Sequence, residues 1–161
     1  REKVDAELFG DTKLLKTWRS NRKGIQFFDK EKDIIMSGAV DEILQKDGKL
    51  IILDFKTRGF SLKEDTHHHY QDQLDIYNFL LRKNDYRTED FAYLLFYVPE
   101  KIMESGDFVF DTKLVKMSVN EKHAEDLFKK AEKILFGDMP KPSNNCEFCR
   151  WQEGLRALDY K

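Results

Sequence analysis

The chain has 161 residues, of which 40% are hydrophobic and 36% charged, and its 28 Lys and Arg against 30 Asp and Glu give a net charge of −2. Its longest apolar runs are less than half of the roughly 20 residues that a membrane-spanning helix needs, so no membrane association is expected. Thirteen Phe, six Tyr and two Trp supply the aromatic surface of one core, which argues against disorder. We therefore expect a single domain over residues 1–161, with a cysteine-containing tail at about 140–161.

The first third of the chain contains a helix signal followed by a hairpin signal. Apolar periodicity predicts helix over residues 5–22, in two pieces because Gly10 and Asp11 interrupt it. Two β-rich runs follow, at residues 34–44 and 50–55. Asp47-Gly48 between them is the strongest short-range signal of a β-hairpin.

The rest of the chain alternates helix and strand. A helix is predicted over residues 66–82 with Thr66 as its N-cap, then strands at 91–98 and 108–119, and then a helix capped by Asn120. The tail from Pro140 onward is predicted to be loop. This order predicts an α/β (α+β mixed sheet) fold, a central mixed β-sheet flanked by helices. The helix at 66–82 acts as the crossover between two parallel strands.

The hairpin brings two carboxylates together. If Asp47 and Gly48 form the centre of a type I′ turn, counting back along both strands places Asp41 opposite Asp54. Lys56 returns to the same face because side chains alternate along a strand. A three-residue bulged turn would instead send the two aspartates to different faces.

The apolar residues around Asp54 make an unpaired carboxylate there costly, by several kcal/mol. Two interpretations are open. The cluster is a hairpin with an Asp54–Lys56 ion pair, or it is a site for Mg²⁺ or Mn²⁺ with the main-chain carbonyl of Phe55 as a further ligand. In the second case Lys56 would assist the attacking water.

The following helix adds a polar pair. Gln73 and Tyr77 are four residues apart, so they share a helical face. A lone tyrosine there would ordinarily be a core residue with its hydroxyl at the surface. Its pairing with Gln73, after the Asp54-Phe-Lys56 strand, favours a place in the same site.

Three segments of this chain resemble the motifs of RecB-like nucleases of the PD-(D/E)XK superfamily. These are Ser37-Gly38-Ala39-Val40-Asp41, Ile52-Leu53-Asp54-Phe55-Lys56-Thr57 and Gln73-Leu74-Asp75-Ile76-Tyr77. The resemblance implies a restriction-endonuclease-like core. It also implies that Asp41 and Asp54 bind a catalytic metal, that Lys56 is the catalytic lysine, and that Gln73 and Tyr77 shape the site or contact DNA.

The chain also departs from the pattern of those relatives. Many of them carry a His or Glu metal ligand on the first helix, and Glu7 is the best-placed carboxylate here. Gln26 stands near a position where a Glu is often seen. His67-His68-His69 cannot form one facial metal site, because consecutive residues point in different directions. A loop or cap near the cleft is expected of them, with a catalytic or DNA-contacting role for one of them as the alternative.

The two cysteines, Cys146 and Cys149, form one C-x-x-C. They resemble the C-terminal segment of relatives that bind a four-iron cluster, but two thiolates hold neither that cluster nor zinc alone. An iron–sulfur cluster is therefore expected only if further cysteines lie upstream of Arg1. So few cysteines also fit a reducing compartment, which predicts a cytoplasmic location.

Together these features predict a Mg²⁺- or Mn²⁺-dependent nuclease that hydrolyses DNA phosphodiester bonds in repair, recombination or defence. The expected partners are single- or double-stranded DNA and a helicase or repair complex. The alternative is a catalytically weak nucleic-acid-binding or structural subunit that retains the nuclease fold. The chemistry leaves RNA, exonuclease or endonuclease action, and oligomeric state open.

Overall fold

The computed structural model describes residues 3–157, and the chain divides into two compact units, residues 1–128 and 129–161. The strands are Glu7–Leu8 (β1), Ile25–Asp29 (β2), Ile34–Gly38 (β3), Glu42–Lys46 (β4), Lys49–Thr57 (β5), Phe91–Ile102 (β6) and Phe108–Ser118 (β7). The helices are Thr12–Trp18 (α1), Gln71–Lys83 (α2), Glu121–Leu135 (α3) and Glu147–Ala157 (α4), and a 3₁₀ helix at Thr66–Tyr70 precedes α2. Within residues 3–157, no helix is both long and apolar enough to cross a membrane.

A five-stranded mixed sheet forms the centre of the first unit, in the order β1-β4-β5-β6-β7. Strands β5 and β6 are parallel, and the other neighbours are antiparallel. The connection between the parallel strands contains α2, as a crossover requires. The predicted mixed sheet flanked by helices is therefore confirmed.

The β4–β5 hairpin has the predicted register. Asp47 and Gly48 both have positive φ, at 49° and 71°, which is the backbone of a type I′ turn. Lys46 faces Lys49, and Glu42 faces Leu53. Continued by one residue, this register brings Asp41 level with Asp54, at the point where β4 begins and β5 runs on.

The core lies between the sheet and α2, and burial of each large aliphatic side chain contributes about 1.5 to 3 kcal/mol. Ile52 of β5 and Leu94 and Phe96 of β6 pack in one cluster with Leu74 and Leu80 of α2. A second, smaller cluster covers the opposite face of the sheet, built on Leu44, Ile51 and Leu53. Strand β5 is thus buried on both sides before it reaches Asp54.

Two N-terminal predictions are wrong in part. Of the helix predicted over residues 5–22, only α1 forms, with Asp11 Oδ1 accepting from Leu14 N at 2.8 Å. Residues 7–8 pair with the edge of β4 as β1 instead, because a strand edge offers backbone partners that local periodicity does not register. The predicted strand 34–44 is divided into β3 and β4, since β3 pairs with β2, which the sequence analysis missed.

Two later boundaries also differ from prediction. Thr66 begins the 3₁₀ helix rather than capping α2, and its Oγ1 accepts from Lys63 N at 3.0 Å. Strand β6 continues past Pro99 to Ile102, with a register shift between Pro99 and Lys101. That irregularity accommodates a proline that has no N–H to donate.

The second unit contains the C-x-x-C. The prediction that the tail from Pro140 onward is loop is wrong in part, because the tail includes helix α4. Helix α4 begins directly after Cys146, whose Sγ accepts from Cys149 N at 3.2 Å as a cap. A disulfide joins Cys146 and Cys149. Helix α3 ends at Leu135, just before Gly137, as predicted.

A buried carboxylate links α2 to the start of α3. Asp75 is fully buried, and its Oδ1 accepts from Gln71 Nε2 at 2.8 Å and from Asn120 N at 2.7 Å. Its Oδ2 lies 2.7 Å from His123 Nδ1. The predicted cap is also present, because Asn120 Oδ1 accepts from His123 N at 3.2 Å.

Substituting Asp75 with Ala is expected to lower the free energy of unfolding by about 3 kcal/mol, because three donors lose a buried charged acceptor. Urea unfolding at neutral pH measures this loss. Asp65→Ala is the control, since Asp65 is exposed before the 3₁₀ helix and its side chain makes no capping hydrogen bond. Equal urea midpoints for the two variants would show that the Asp75 network does not stabilise the fold.

Candidate active site

Asp54 lies near the end of β5 and is 1% exposed. Its Oδ1 accepts from Gln73 Nε2 at 3.2 Å, and its Oδ2 lies 2.5 Å from Lys56 Nζ. This second contact is an ion pair, and within residues 3–157 the buried Oδ2 has no hydrogen-bond partner besides it. The predicted Asp54–Lys56 pair is therefore present, with Lys56 beside Oδ2 and Gln73 beside Oδ1 of the same carboxylate.

The amide of Gln73 organises the rest of the cluster. Its Oε1 accepts from Lys56 Nζ at 3.0 Å, while its Nε2 donates to Tyr77 Oη at 2.7 Å as well as to Asp54. The Lys56 ammonium also lies 4.7 Å from the centre of the Tyr70 ring, a cation–π distance. One glutamine from α2 thus fixes the lysine, the carboxylate and the phenol relative to one another.

Asp41 precedes β4 and faces the same end of β5. Its Oδ2 accepts from the main-chain N–H of Phe55 at 2.9 Å. Arg19 holds this corner, because its Nε donates to Asp41 O and its Nη2 to Glu42 Oε2, both at 2.6 Å. No local pattern connects residues 22 positions apart, so its role was missed.

Burial and neighbouring charges have opposing effects on the pKa values of the cluster. Burial raises the pKa of Asp54 above its ordinary value and the charge of Asp41 raises it further, while Lys56 lowers it. Burial likewise raises the pKa of Tyr77, against the hydrogen bond from Gln73. Asp54 is therefore held in a setting where an added positive charge would favour its ionised form.

The residues present fit a hard divalent cation with few protein ligands. Such an ion takes oxygen donors, and Mg²⁺ is commonly held by one or two carboxylates with water completing the shell. Asp41 and Asp54 would supply the carboxylates, because their side chains meet at the same end of β5. Among residues 3–157, no group of three or more His, Cys, Asp or Glu side chains is arranged to hold a metal ion.

The structure places Glu7 outside this cluster. Glu7 of β1 pairs with Gln45 of β4. Gln45 is four residues from Asp41, and four residues of extended chain span about 13 Å. The residues His67 to His69 lie in the 3₁₀ helix, where the rings of His67 and His68 are 4.1 Å apart. Metal binding by Glu7 or by the Phe55 carbonyl, and cofactor binding by Cys146 and Cys149, stay predictions.

Gly38, the last residue of β3, allows α2 to approach the two-stranded sheet formed by β2 and β3. A Cβ built on Gly38 would lie 2.8 Å from Cε1 of Tyr77 and 3.1 Å from Cδ1 of Leu80. Tyr77 and Gly38 also line a cleft of about 200 Å³, together with Lys23. The glycine of the first motif is thus the residue against which the tyrosine of the third motif packs.

Gly38→Ala is expected to displace the Tyr77 ring, to cost about 1 to 3 kcal/mol in stability, and to weaken the Gln73–Tyr77 hydrogen bond. Thermal unfolding measures the first effect, and the rate of nucleic-acid cleavage measures its consequence at the site. Gly10→Ala is the control, since no atom lies within 4 Å of its added Cβ. A Gly38→Ala protein with the stability and cleavage rate of the Gly10→Ala protein would contradict this packing role.

Comparison with known proteins bears on this geometry. The family model of the PD-(D/E)XK nuclease superfamily matches residues 4–153. The chain belongs to the PD-(D/E)XK nuclease superfamily. All three motif segments lie inside the matched range, so the predicted superfamily and the restriction-endonuclease-like fold are confirmed.

One solved structure, the crystal structure of SSO0001, is similar at 19% sequence identity and a TM-score of 0.45. The similarity covers 80% of this chain and 54% of SSO0001, so this chain spans about half of that protein's length. No curated protein matches the sequence. Membership of the PD-(D/E)XK superfamily supports nuclease activity on a nucleic acid.

Proposed function

We propose that this PD-(D/E)XK protein is a metal-dependent nuclease that hydrolyses DNA phosphodiester bonds. The observation that carries the proposal is the buried Asp54 carboxylate, which lies beside both the Asp41 carboxylate and the Lys56 ammonium at the end of β5. The proposal also includes membership of the RecB-like subtype and a role in repair, recombination or defence. It further includes a helicase or repair-complex partner and a cytoplasmic location.

Asp41 and Asp54 would hold Mg²⁺ or Mn²⁺. When bound, such an ion supplies a Lewis acid that polarises the phosphate and lowers the pKa of an attacking water. Lys56 presents its ammonium to the attacking oxygen and to the negative charge that develops on the phosphate. Gln73 keeps Lys56 and Asp54 in place, and Tyr77 contacts the substrate backbone from the adjoining cleft.

The direct test is cleavage of end-labelled single-stranded DNA, duplex DNA and RNA in Mg²⁺, Mn²⁺ and EDTA. The wild-type protein is expected to cut DNA only with a divalent cation, and Asp54→Asn is expected to abolish cutting. Asp72→Asn serves as the control, because it removes an exposed carboxylate from the neighbouring helix. Cleavage in EDTA, or an active Asp54→Asn protein, would contradict the metal-dependent mechanism.

One observation favours a second candidate, a nucleic-acid-binding or structural subunit that cleaves poorly. Only two acidic side chains of the described part of the chain meet at the site, and Glu7 lies away from them. A weakly held metal would reduce turnover but leave binding intact. A wild-type protein that binds labelled DNA, does not cut it in any metal, and binds equally well as Asp54→Asn would establish this alternative.

A further inference from the structure

A second cation follows Lys56 at the end of β5. Arg58 comes two residues after Lys56 and just after the last residue of the strand. Its main-chain N–H donates to Tyr97 O at 3.0 Å, so the backbone stays beside β6 at this point. Because residues two apart in an extended chain point to the same side, Lys56 and Arg58 both lie on the side of the sheet that bears the candidate active site.

The guanidinium of Arg58 is positioned but lacks strong partners. It lies 4.8 Å from the centre of the Phe60 ring, and its Nη1 donates to Tyr70 Oη at 3.5 Å, a long contact. Its Nε is buried with no hydrogen-bond partner. An arginine has five N–H donors, so most of the donors of Arg58 have no acceptor within residues 3–157.

Other arginines near the sheet differ from Arg58 in this respect. Arg19 pairs with Glu42, and Arg82 pairs with Asp90 and Glu121. Among residues 3–157, no carboxylate lies within ion-pair distance of Arg58. A half-buried guanidinium that stacks against a ring and pairs with no carboxylate of the described residues is the arrangement expected where a ligand supplies the oxygen atoms.

Tyr70 connects this cation to the catalytic cluster. The Lys56 ammonium lies over the Tyr70 ring, and the hydroxyl of the same ring contacts Arg58. The two positive charges therefore flank a single aromatic side chain. A substrate held at Lys56 would place its next backbone phosphate within reach of Arg58.

We propose that Arg58 forms a phosphate-binding subsite, which takes the non-bridging oxygens of a phosphate next to the scissile one. This inference rests on the proposed function and names a positioning residue for it. Arginine suits the role because its planar fork binds two phosphate oxygens at once. The contact carries no base specificity, so Arg58 fixes the register of the backbone regardless of sequence.

The test uses fluorescence anisotropy of labelled oligothymidylate and of a labelled DNA duplex, in EDTA and over a series of salt concentrations. Arg58→Gln is expected to weaken binding about tenfold and to reduce the slope of log Kd against log salt by about one, as for one lost phosphate contact. Arg58→Lys is expected to recover the slope but only part of the affinity. Arg22→Gln, which removes an exposed arginine, is the matched control and should bind as wild type does.

Cleavage kinetics add a readout that a purely structural role would not move in the same way. Arg58→Gln is expected to raise KM about tenfold and to change kcat by less than about threefold, at the thermal stability of wild type. If Arg58→Gln does not fold, the comparison of Arg58→Lys with wild type across oligonucleotides that each carry one neutral methylphosphonate replaces it. At one linkage, the methylphosphonate should then weaken DNA binding by the wild-type protein more than it weakens DNA binding by Arg58→Lys.

The outcomes separate this subsite from the nuclease activity. A protein that binds DNA through Arg58 but never cleaves it retains the subsite and refutes the proposed function. A protein that cleaves DNA, with Arg58→Gln equal to Arg22→Gln in affinity and salt slope, refutes the subsite alone. A wild-type protein that binds neither probe refutes the subsite as well.

Discussion

Replacing Lys56 with Met is expected to lower the rate of DNA cleavage by about 10² to 10³ while the protein remains folded. The ammonium lies 2.5 Å from Asp54 Oδ2 and its side chain is only 17% exposed, so water cannot replace its charge efficiently. Single-turnover kinetics at saturating Mg²⁺ or Mn²⁺ measure the chemical step directly. The expected loss is in kcat, because Lys56 acts on charge that develops only in the transition state.

Three further variants make this result interpretable. Lys30→Met removes an exposed lysine from a turn and should leave the rate unchanged. Lys56→Arg keeps the charge but not its shape, so it should recover only part of the rate. The double variant with Asp54→Asn should be no slower than Asp54→Asn alone, because the two residues act as a unit. A Lys56→Met rate within a few-fold of wild type would rule out a catalytic lysine here.

The sequence predicts the half of the site that depends on local geometry. The Asp47-Gly48 turn sets the register of β4 against β5, and that register alone places Asp41 level with Asp54 and Lys56 on the same face. Helical spacing then pairs Gln73 with Tyr77, and the structure shows their hydrogen bond. These relations span at most a hairpin or one helical turn, where backbone geometry leaves few alternatives.

The features that could not be predicted depend on contacts between distant segments. Strand β1 forms only because the edge of β4 accepts it, and helical periodicity in the same stretch suggested otherwise. Arg19 reaches Asp41 from another element, across 22 positions. The close approach of Gly38 to Tyr77 similarly joins two motifs that, as sequence, show no reason to touch. Tertiary packing decides each of these features, and one sequence does not encode it in any local pattern.

Adding Mg²⁺ or Mn²⁺ is expected to raise the melting temperature of the wild-type protein, and Asp54→Asn is expected to remove that increase. A ligand that binds only the folded state stabilises it by about 2.7 kcal/mol at a concentration one hundred times its Kd. Differential scanning fluorimetry over a metal titration, against EDTA, measures the effect without requiring any cleavage. Asp72→Asn should retain the full increase, because its carboxylate lies outside the cluster and is exposed.

The pH dependence of this increase has a definite sign. The pKa of Asp54 is raised from its ordinary 3.8, so in EDTA the contribution of Asp54 to stability is complete below 3.8 and is lost as pH rises through the folded-state value. Metal binding uses the ionised carboxylate and therefore has the opposite trend. The metal-induced increase should be largest above the raised pKa of Asp54 and should vanish as pH falls below it.

The same titration distinguishes the two proposed functions. If the melting temperature at neutral pH is equal in Mg²⁺, Mn²⁺ and EDTA, Asp41 and Asp54 hold no cation, and the Asp54–Lys56 pair is structural. Binding of DNA would then rest on Lys56, Arg58 and the Tyr77 cleft, as the binding-subunit alternative requires. If the increase appears and disappears with Asp54→Asn, the Asp54 carboxylate binds the metal, and the loss of cleavage in Lys56→Met then reports on a metal-dependent step.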